Sequence, residues 1–424
     1  IQTNDLSDGA QHPNTDRMTI TNADITHTMT AISTGGGMIE VQKIDGAAVA
    51  IDGGFHELLL YAPDLQALAS SLPPNLTYDF LEHHHGDRNF IELKSALPYS
   101  AQTLAALAVL PAVDFIRYLR PVLPVLARKD LEVPFLYCTD MLAYGAREQL
   151  ELWQLALRYE SMRGCISEQA VFAQMRDIVR IMSDSIHKGL QGTEYADRIL
   201  PCQSVGFKEK MDSGLLIHGE LLNTIIMYTT AMMEIKSSMG VIVAAPTAGS
   251  CGALPGALIG AGAVMEKSED EIVKAMLAAG MIGVFISEHA TFSAEVGGCQ
   301  AECGAGGSMA AAGLVTLANG TLAQCVTAAS LALQNSLGMI CDPIGVRVEA
   351  PCLGRNVMAA SNALSCANMA IANYDPVVIF DEVVQTMLDV GNSMAHELRC
   401  TGLGGLAVTE SAKAVERRLQ KISC

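Results

Sequence analysis

Apolar positions along the chain follow two rhythms, and the change between them falls just after residue 121. Up to about residue 53, "HPNTDRMTI" and "AISTGGGMIEVQKIDGAAVAIDGG" read as strands and turns, with Gly35–Gly37 marking a tight turn or a close backbone approach. A regular alternation follows. "FHELLLY" predicts a strand, "PDLQALASSL" a helix beginning at Pro63, and "TYDFLEHH" with "NFIELKSA" a hairpin around Gly86 and Asp87. "SAQTLAALAVL" then predicts a helix and "DFIRYLRP" a last strand, a β-α-β-β-α-β order of the ferredoxin-like kind. Three prolines in "PVLPVLARKDLEVP" mark a linker.

Beyond the linker the period becomes helical. In "SEQAVFAQMRDIVRIMSDSI", Val171, Met175, Ile178, Met182 and Ile186 share one face, and Ser167 is the expected N-cap. Ser268 with Glu271, and Thr321 with Gln324, have the spacing of capping boxes. Glycine-rich stretches at 246–262, 297–307 and 402–405, and a Pro-Ile-Gly break at 343–345, interrupt the helices and are expected to converge.

Composition supports this division. Half of the 424 residues are hydrophobic but only 5% are aromatic, which favours closely packed helices over a large sheet. A formal charge of −18 argues against a nucleic-acid partner. The run from Gly240 to Val264 is long enough to span a bilayer, but Pro246, Pro255, Thr247 and Ser250 interrupt it with small residues around them. It reads as a helix–loop–helix, with no membrane role. Twelve cysteines without a dense regular framework or a charged-then-apolar leader point to a reducing compartment, the cytoplasm.

Four cysteines stand in the glycine-rich loops: Cys299 and Cys303 in "EVGGCQAECGAGGSM", Cys341 and Cys352 in "CDPIGVRVEAPC". Thiolates on loops hold iron–sulfur clusters, and adjacent glycines allow the backbone to bend around one. The spacing is neither a zinc ribbon nor a ferredoxin pattern, so spacing alone favours buried packing cysteines over ligands.

From about Leu136 to Ser411 the chain resembles the α part of the iron–sulfur L-serine dehydratases. The stretches that carry the likeness are "APTAGSCGALPGAL", "SAEVGGCQAECGAGGSMAAAGLV", "ALQNSLGMICDPIGVRVEAPCLGRNVMAASNAL" and "TGLGGLAVTES". "HPNTDRMTI" and "ISTGGGMIEVQKIDG" are similar to the second half of that family's β part, which is followed by an ACT-like domain. The resemblance implies an α+β N-terminal region with an ACT-like βαββαβ domain, followed by a large all-α catalytic domain. Its expected limits are a partial β-type region over 1–53, the ACT-like domain over 54–121, a linker over 122–134 and the cluster-binding domain over 135–424.

Carried over by position, the family's three cluster ligands fall on Cys299, Cys341 and Cys352, with Cys303 a bystander. They imply a [4Fe–4S] cluster with one iron open to act as a Lewis acid on L-serine, giving pyruvate and ammonia. Cys424, in the final "KISC", is expected either to return to the fourth iron until substrate displaces it or to be a frayed end. The family's Ser-Ser-Ser-His-Thr segment, the source of substrate contacts and of a base, does not occur; "DITHT" with His27 echoes it in the wrong place. The expectation is that it lies upstream of Ile1 or on a partner chain, and that the protein is a homodimer.

Within the chain, Lys208 and Lys210 of "GFKEKMDSG", and Thr247 and Ser250 of "PTAGS", are candidates to grip the substrate carboxylate or ammonium. "PTAGSCG" reads equally as an anion nest and as a tight helix connector. His289, ten residues before Cys299, either faces the cluster or is a hydrogen-bonded core histidine, and His218 reads as packing on an apolar helix. The run His83–His85 reads as a solvated turn, with adventitious metal binding as its other possibility. Alternatives for the whole chain are a cluster-dependent cysteine desulfidase or threonine dehydratase, a pyridoxal-phosphate enzyme using Lys208 or Lys210, and a non-catalytic amino-acid sensor.

Overall fold

The computed structural model describes residues 15–21, 26–35, 38–121 and 133–422. The chain divides into two compact units, 1–126 and 127–424.

The first unit holds two antiparallel sheets. β1 (Thr15–Thr21), β2 (Thr26–Gly35), β3 (Met38–Ile44) and β4 (Ala47–Ile51) pair in chain order. Asp45 and Gly46, both at positive φ, turn β3 into β4. The Asp45 carboxylate then accepts from Thr28 N at 2.8 Å and lies 2.7 Å from His27 Nδ1, tying the turn back to β2. The second sheet contains β5 (His56–Tyr61), β6 (Phe80–His84), β7 (Phe90–Ser95) and β8 (Phe115–Leu119) in the order β6-β7-β5-β8. Helices α1 (Leu65–Ser71) and α2 (Ala101–Ala108) fall between β5 and β6 and between β7 and β8. Asp64 and Ser100 cap them, so the first helix starts one turn-forming residue beyond Pro63.

Side chains alternate across this sheet as strand geometry requires. Leu58, Leu60, Ile91 and Leu93 pack with Leu65, Leu68 and Leu107 of the helices. Leu59, Tyr61 and Phe90 face the other way, onto Val41, Ala47 and Ile51 of the first sheet. Each fully buried Leu or Phe contributes about 1.5–3 kcal/mol. His84 follows the same alternation into the inter-sheet layer and is 7% exposed, so the run His83–His85 is not simply a solvated turn.

The second unit is helical. Its helices are α3 (Cys138–Glu148), α4 (Leu152–Gly164), α5 (Glu168–Gly189), α6 (Ser204–Asp212), α7 (Glu220–Ser237), α8 (Ala253–Val264) and α9 (Glu269–His289). They continue with α10 (Ala294–Gly297), α11 (Ala305–Leu317), α12 (Leu322–Gln334), α13 (Cys352–Ile371), α14 (Phe380–Ser393) and α15 (Glu410–Gln420). Every residue of α11 except Thr316 is buried, and α8, α9, α12 and α13 pack around it. Its small residues allow that approach: a Cβ on Gly313 would come within 2.7 Å of Leu258. A helix apolar on all sides is what a central position demands.

The expected caps form. Ser167 caps α5, and Ser268–Glu271 and Thr321–Gln324 close capping boxes on α9 and α12. On α5, Val171, Ile178, Met182 and Ile186 are buried and Met175 packs half-buried beside them. The apolar run at 240–264 is non-helical up to Gly252 and helical only over Ala253–Val264, so it holds one helix where the sequence reads as a helix–loop–helix. One described helix, α9, is long and apolar enough to cross a membrane, and 61% of its apolar window is buried within the protein.

Candidate functional site

Four breaks between helices supply the site. The first precedes α11. Gly298 sits at φ 70°, and a Cβ there would lie 2.7 Å from Met339 O, so glycine is required just ahead of Cys299. Gln300–Gly304 then forms a single π-helical turn, a feature that concentrates at functional positions. Gln300 is buried and clamps the neighbouring chain: its Oε1 accepts from Gly338 N at 2.8 Å, and its Nε2 donates to Met387 O at 3.0 Å.

The second break presents Cys341. Its N–H donates to Leu398 O and its carbonyl accepts from Cys400 N, both at 2.8 Å, so a short parallel bridge pins it to the 398–400 segment. Asp342, 1% exposed, accepts from Arg355 Nη2 at 2.5 Å and from Leu406 N at 2.6 Å. Arg355 stands on α13, whose first residue is Cys352. One turn on, Asn356 accepts from Gly252 N and Ala253 N and donates to Gly249 O and Cys352 O. It thus joins the start of α8 to the start of α13. Glu349 accepts from Tyr195 Oη, Ile199 N and Leu200 N, anchoring the Cys341–Cys352 loop on its far side.

These anchors bring the Sγ atoms of Cys299 and Cys341 and a carboxylate oxygen of Glu302 within 4.8 Å of one another. Hydrogen bonds from Cys303 and Cys341, with Arg355 Nη1 3.3 Å from its sulfur, hold the Cys299 thiol down at about 3. The converse holds for its neighbours. The bond to Cys299 drives Cys341 and Cys303 upward, and burial with the Cys299 charge pushes Cys352 up to about 12. Burial, then Cys299, lifts Glu302 to about 7.

The donor set fits a thiolate-held cluster. Cys299, Cys341 and Cys352 are buried and free, and Arg355 stands beside the Cys299 sulfur to balance negative charge; Cys352, at the start of α13, lies outside the 4.8 Å group. Cys303 packs against Ala253 and Ala359 while its thiol is hydrogen-bonded to Cys299.

The other sequence candidates are distributed differently. Thr247 Oγ1 donates to Glu302 Oε1 at 2.7 Å and lies 3.1 Å from Ser250 Oγ, so the "PTAGS" turn is wrapped upon itself and upon Glu302. Lys208 is exposed on α6 and paired with Asp212 at 2.6 Å, and Lys210 is also exposed. His289 lies at the end of α9, where Nε2 meets Leu136 O at 2.8 Å and the ring stacks on Tyr137 at 4.3 Å; this is the hydrogen-bonded role rather than a place among the thiols. His218 is exposed in the loop before α7, not packed on a helix, because Gly219 at φ 150° ends any helical path there. Cys424 lies outside the described residues.

Sequence reasoning missed Glu302, Arg355, Asn356 and Lys236. Lys236 is half-buried on α7, donates to Val348 O, and is lowered by burial against the opposing pull of Cys251 and Cys352. Each is a single polar residue in a helical stretch, with no spacing to single it out. A charged residue amid "VEAPCLGRNVM" was the available signal for Arg355.

Residues 147–407 match the family described as serine dehydratase alpha chain. The chain is 35% identical over 253 residues to the probable L-serine dehydratase, alpha chain, of Bacillus subtilis, spanning 60% of this chain and 84% of that one. It is 36% identical over 273 residues to the L-serine dehydratase, alpha chain, of Peptoniphilus asaccharolyticus, spanning 64% and 94%. It is 35% identical over 253 residues to the L-serine dehydratase TdcG of Escherichia coli, spanning 57% and 55%.

Proposed function

The chain belongs to the serine dehydratase alpha chain family, and on that premise we propose that it is a carbon–nitrogen lyase converting L-serine to pyruvate and ammonia. The observation that carries the reading is the convergence of Cys299, Cys341 and Glu302 within 4.8 Å, beside Arg355.

In this reading Cys299, Cys341 and Cys352 hold a [4Fe–4S] cluster. When bound, the cluster supplies an iron with a free position, a Lewis acid for the departing hydroxyl. Arg355 sets its charge against the Cys299 sulfur and keeps that ligand a thiolate. Thr247 orients Glu302, the carboxylate placed beside the thiols where a substrate proton can be exchanged. Thr247 and Ser250 spend their hydroxyls on each other and on Glu302, so their part is to position that carboxylate.

Several finer points belong to the same reading. Two relatives are named as alpha chains, which supports a companion β-type segment bringing further substrate contacts. Residues 1–53 are read as part of such a region, 54–121 as the ACT-like domain, 122–134 as linker and 135–424 as the cluster-binding domain, in a cytoplasmic homodimer. The β6-β7-β5-β8 order supports the ACT-like assignment. Cys424 would be the displaceable fourth ligand.

The test is anaerobic purification, with any companion segment supplied, followed by iron and sulfide analysis and turnover of serine, threonine and cysteine. About four irons and four sulfides per chain, with pyruvate formed fastest from serine and lost on aeration, is the expected result. Preference for threonine or cysteine, or turnover that survives iron chelation, overturns it.

A further inference from the structure

The layer between the two sheets of the first unit is charged where a sheet-on-sheet contact is ordinarily apolar. Glu57, Glu92, His84 and Lys94 are each under 9% exposed. Strand register gathers them: Glu57 pairs with Lys94 across β5 and β7, and Glu82 with Glu92 across β6 and β7, with His84 two residues on. Lys94 Nζ donates to Ala50 O at 2.6 Å and stays 3.7 Å from Glu92 and 3.9 Å from Glu57. One ammonium, already engaged by a carbonyl, therefore faces two buried carboxyl groups.

The acceptors outnumber the donors. His84 Nε2 lies 2.8 Å from Glu92 Oε2 and 3.7 Å from Glu82 Oε2. Glu57, 1% exposed, is raised by burial to about 8, and a hydrogen bond to Glu92 lets the two carboxyl groups share a proton. His84 stacks on Phe90 at 4.8 Å, which fixes its ring with Nε2 toward the carboxylates.

We propose that Glu82, His84 and Glu92 bind one divalent cation of the zinc class, with the Glu57–Lys94 pair buried behind it. Their three ligand atoms lie within 4.8 Å of one another. Two ligands each about 2 Å from zinc in a tetrahedral shell stand roughly 3 Å apart, which the 2.8 Å and 3.7 Å separations bracket. One imidazole and two carboxylates suit zinc better than calcium or magnesium, whose shells are all oxygen. His84 and Glu92 are held by adjacent strands, while the exposed Glu82 leaves a path for the ion and room for a water as the remaining ligand. The ion takes the place of a proton between His84 and Glu92.

The experiment titrates the metal-free full chain anaerobically with Co²⁺, whose spectrum separates this site from the cysteines. An imidazole–carboxylate site gives visible ligand-field bands without the intense sulfur-to-cobalt band of a thiolate site. One equivalent of such binding, displaced by Zn²⁺, is expected. It should vanish in His84→Ala and weaken at least tenfold in Glu82→Gln, while both variants, purified anaerobically before metal removal, carry as much iron as the parent. Glu82→Gln alters a surface residue and decides the matter if His84→Ala does not fold. A purely thiolate spectrum, or bands that Glu82→Gln leaves unchanged, overturns the proposal and leaves a shared proton as the bond between His84 and Glu92.

Discussion

Arg355 places Nη1 3.3 Å from the sulfur of Cys299 while its Nη2 is held by the buried carboxylate of Asp342. One guanidinium therefore serves a candidate ligand and an anchor of the Cys341 loop together. Arg355→Leu leaves Asp342 buried without its cation, which should cost about 3–5 kcal/mol. Arg355→Lys keeps the charge but not the two-pronged geometry and should cost less. Urea unfolding followed by circular dichroism measures both, and equal stability of Arg355→Leu and the parent would refute the role.

The cysteines should separate by function. Cys341→Ala and Cys352→Ala should each remove most of the iron from anaerobically prepared protein. Cys303→Ala, packed among alanines, should retain it. Cys325→Ala on α12, where the thiol touches only Thr316 among its polar neighbours, should retain iron and lose about 1 kcal/mol of stability through the small cavity. Iron analysis of the four variants checks the set, and loss of iron from Cys303→Ala would require a different ligand assignment.

Two glycines should respond with opposite signs. Gly405 sits at φ 58°, and an added Cβ would lie 2.4 Å from Asp342 Oδ2. Gly405→Ala should lose about 1–2 kcal/mol to the left-handed backbone alone and should disturb Asp342 as well. Gly280, inside α9, has open space where a Cβ would go, and Gly280→Ala should gain roughly 0.5–1 kcal/mol. Thermal unfolding of the pair gives the two signs directly.

Acid should expose the cap of α9. Hydrogen bonds from Ser268, then Lys267, lower the Glu271 carboxyl to about 2 from an ordinary 4.5. A depressed folded value means that its stabilisation is present above pH 4.5 and is lost as pH falls toward 2. Glu271→Gln should therefore narrow its deficit against the parent across that window. Urea unfolding at a series of acid pH values tests this; a deficit that does not change with pH would contradict it.

Caps and periods were legible because they act over three or four residues. Ser167, Ser268 and Thr321 did at their helix starts what their neighbours in sequence require. The hairpin read from "TYDFLEHH" and "NFIELKSA" likewise formed as β6 and β7. The partners of Thr247, Arg355 and Asn356 were not legible, because Thr247 meets Glu302 55 positions away and Asn356 caps α8 from 103 positions away. Contacts of that separation depend on how α8, α11 and α13 cross, which no local pattern encodes.

From its order of residues alone the chain settles helix ends, the β-α-β-β-α-β succession and the loops that carry thiols, since each follows from short-range sterics and the burial of one apolar face. Folding in three dimensions settles something else: which polar groups share a buried space. It aims "PTAGS" at Glu302 and leaves Lys208 in solvent. It also turns His84 inward among carboxylates. The reason is electrostatic: a charge is costly only where water is excluded, and the packing of distant elements decides where that is.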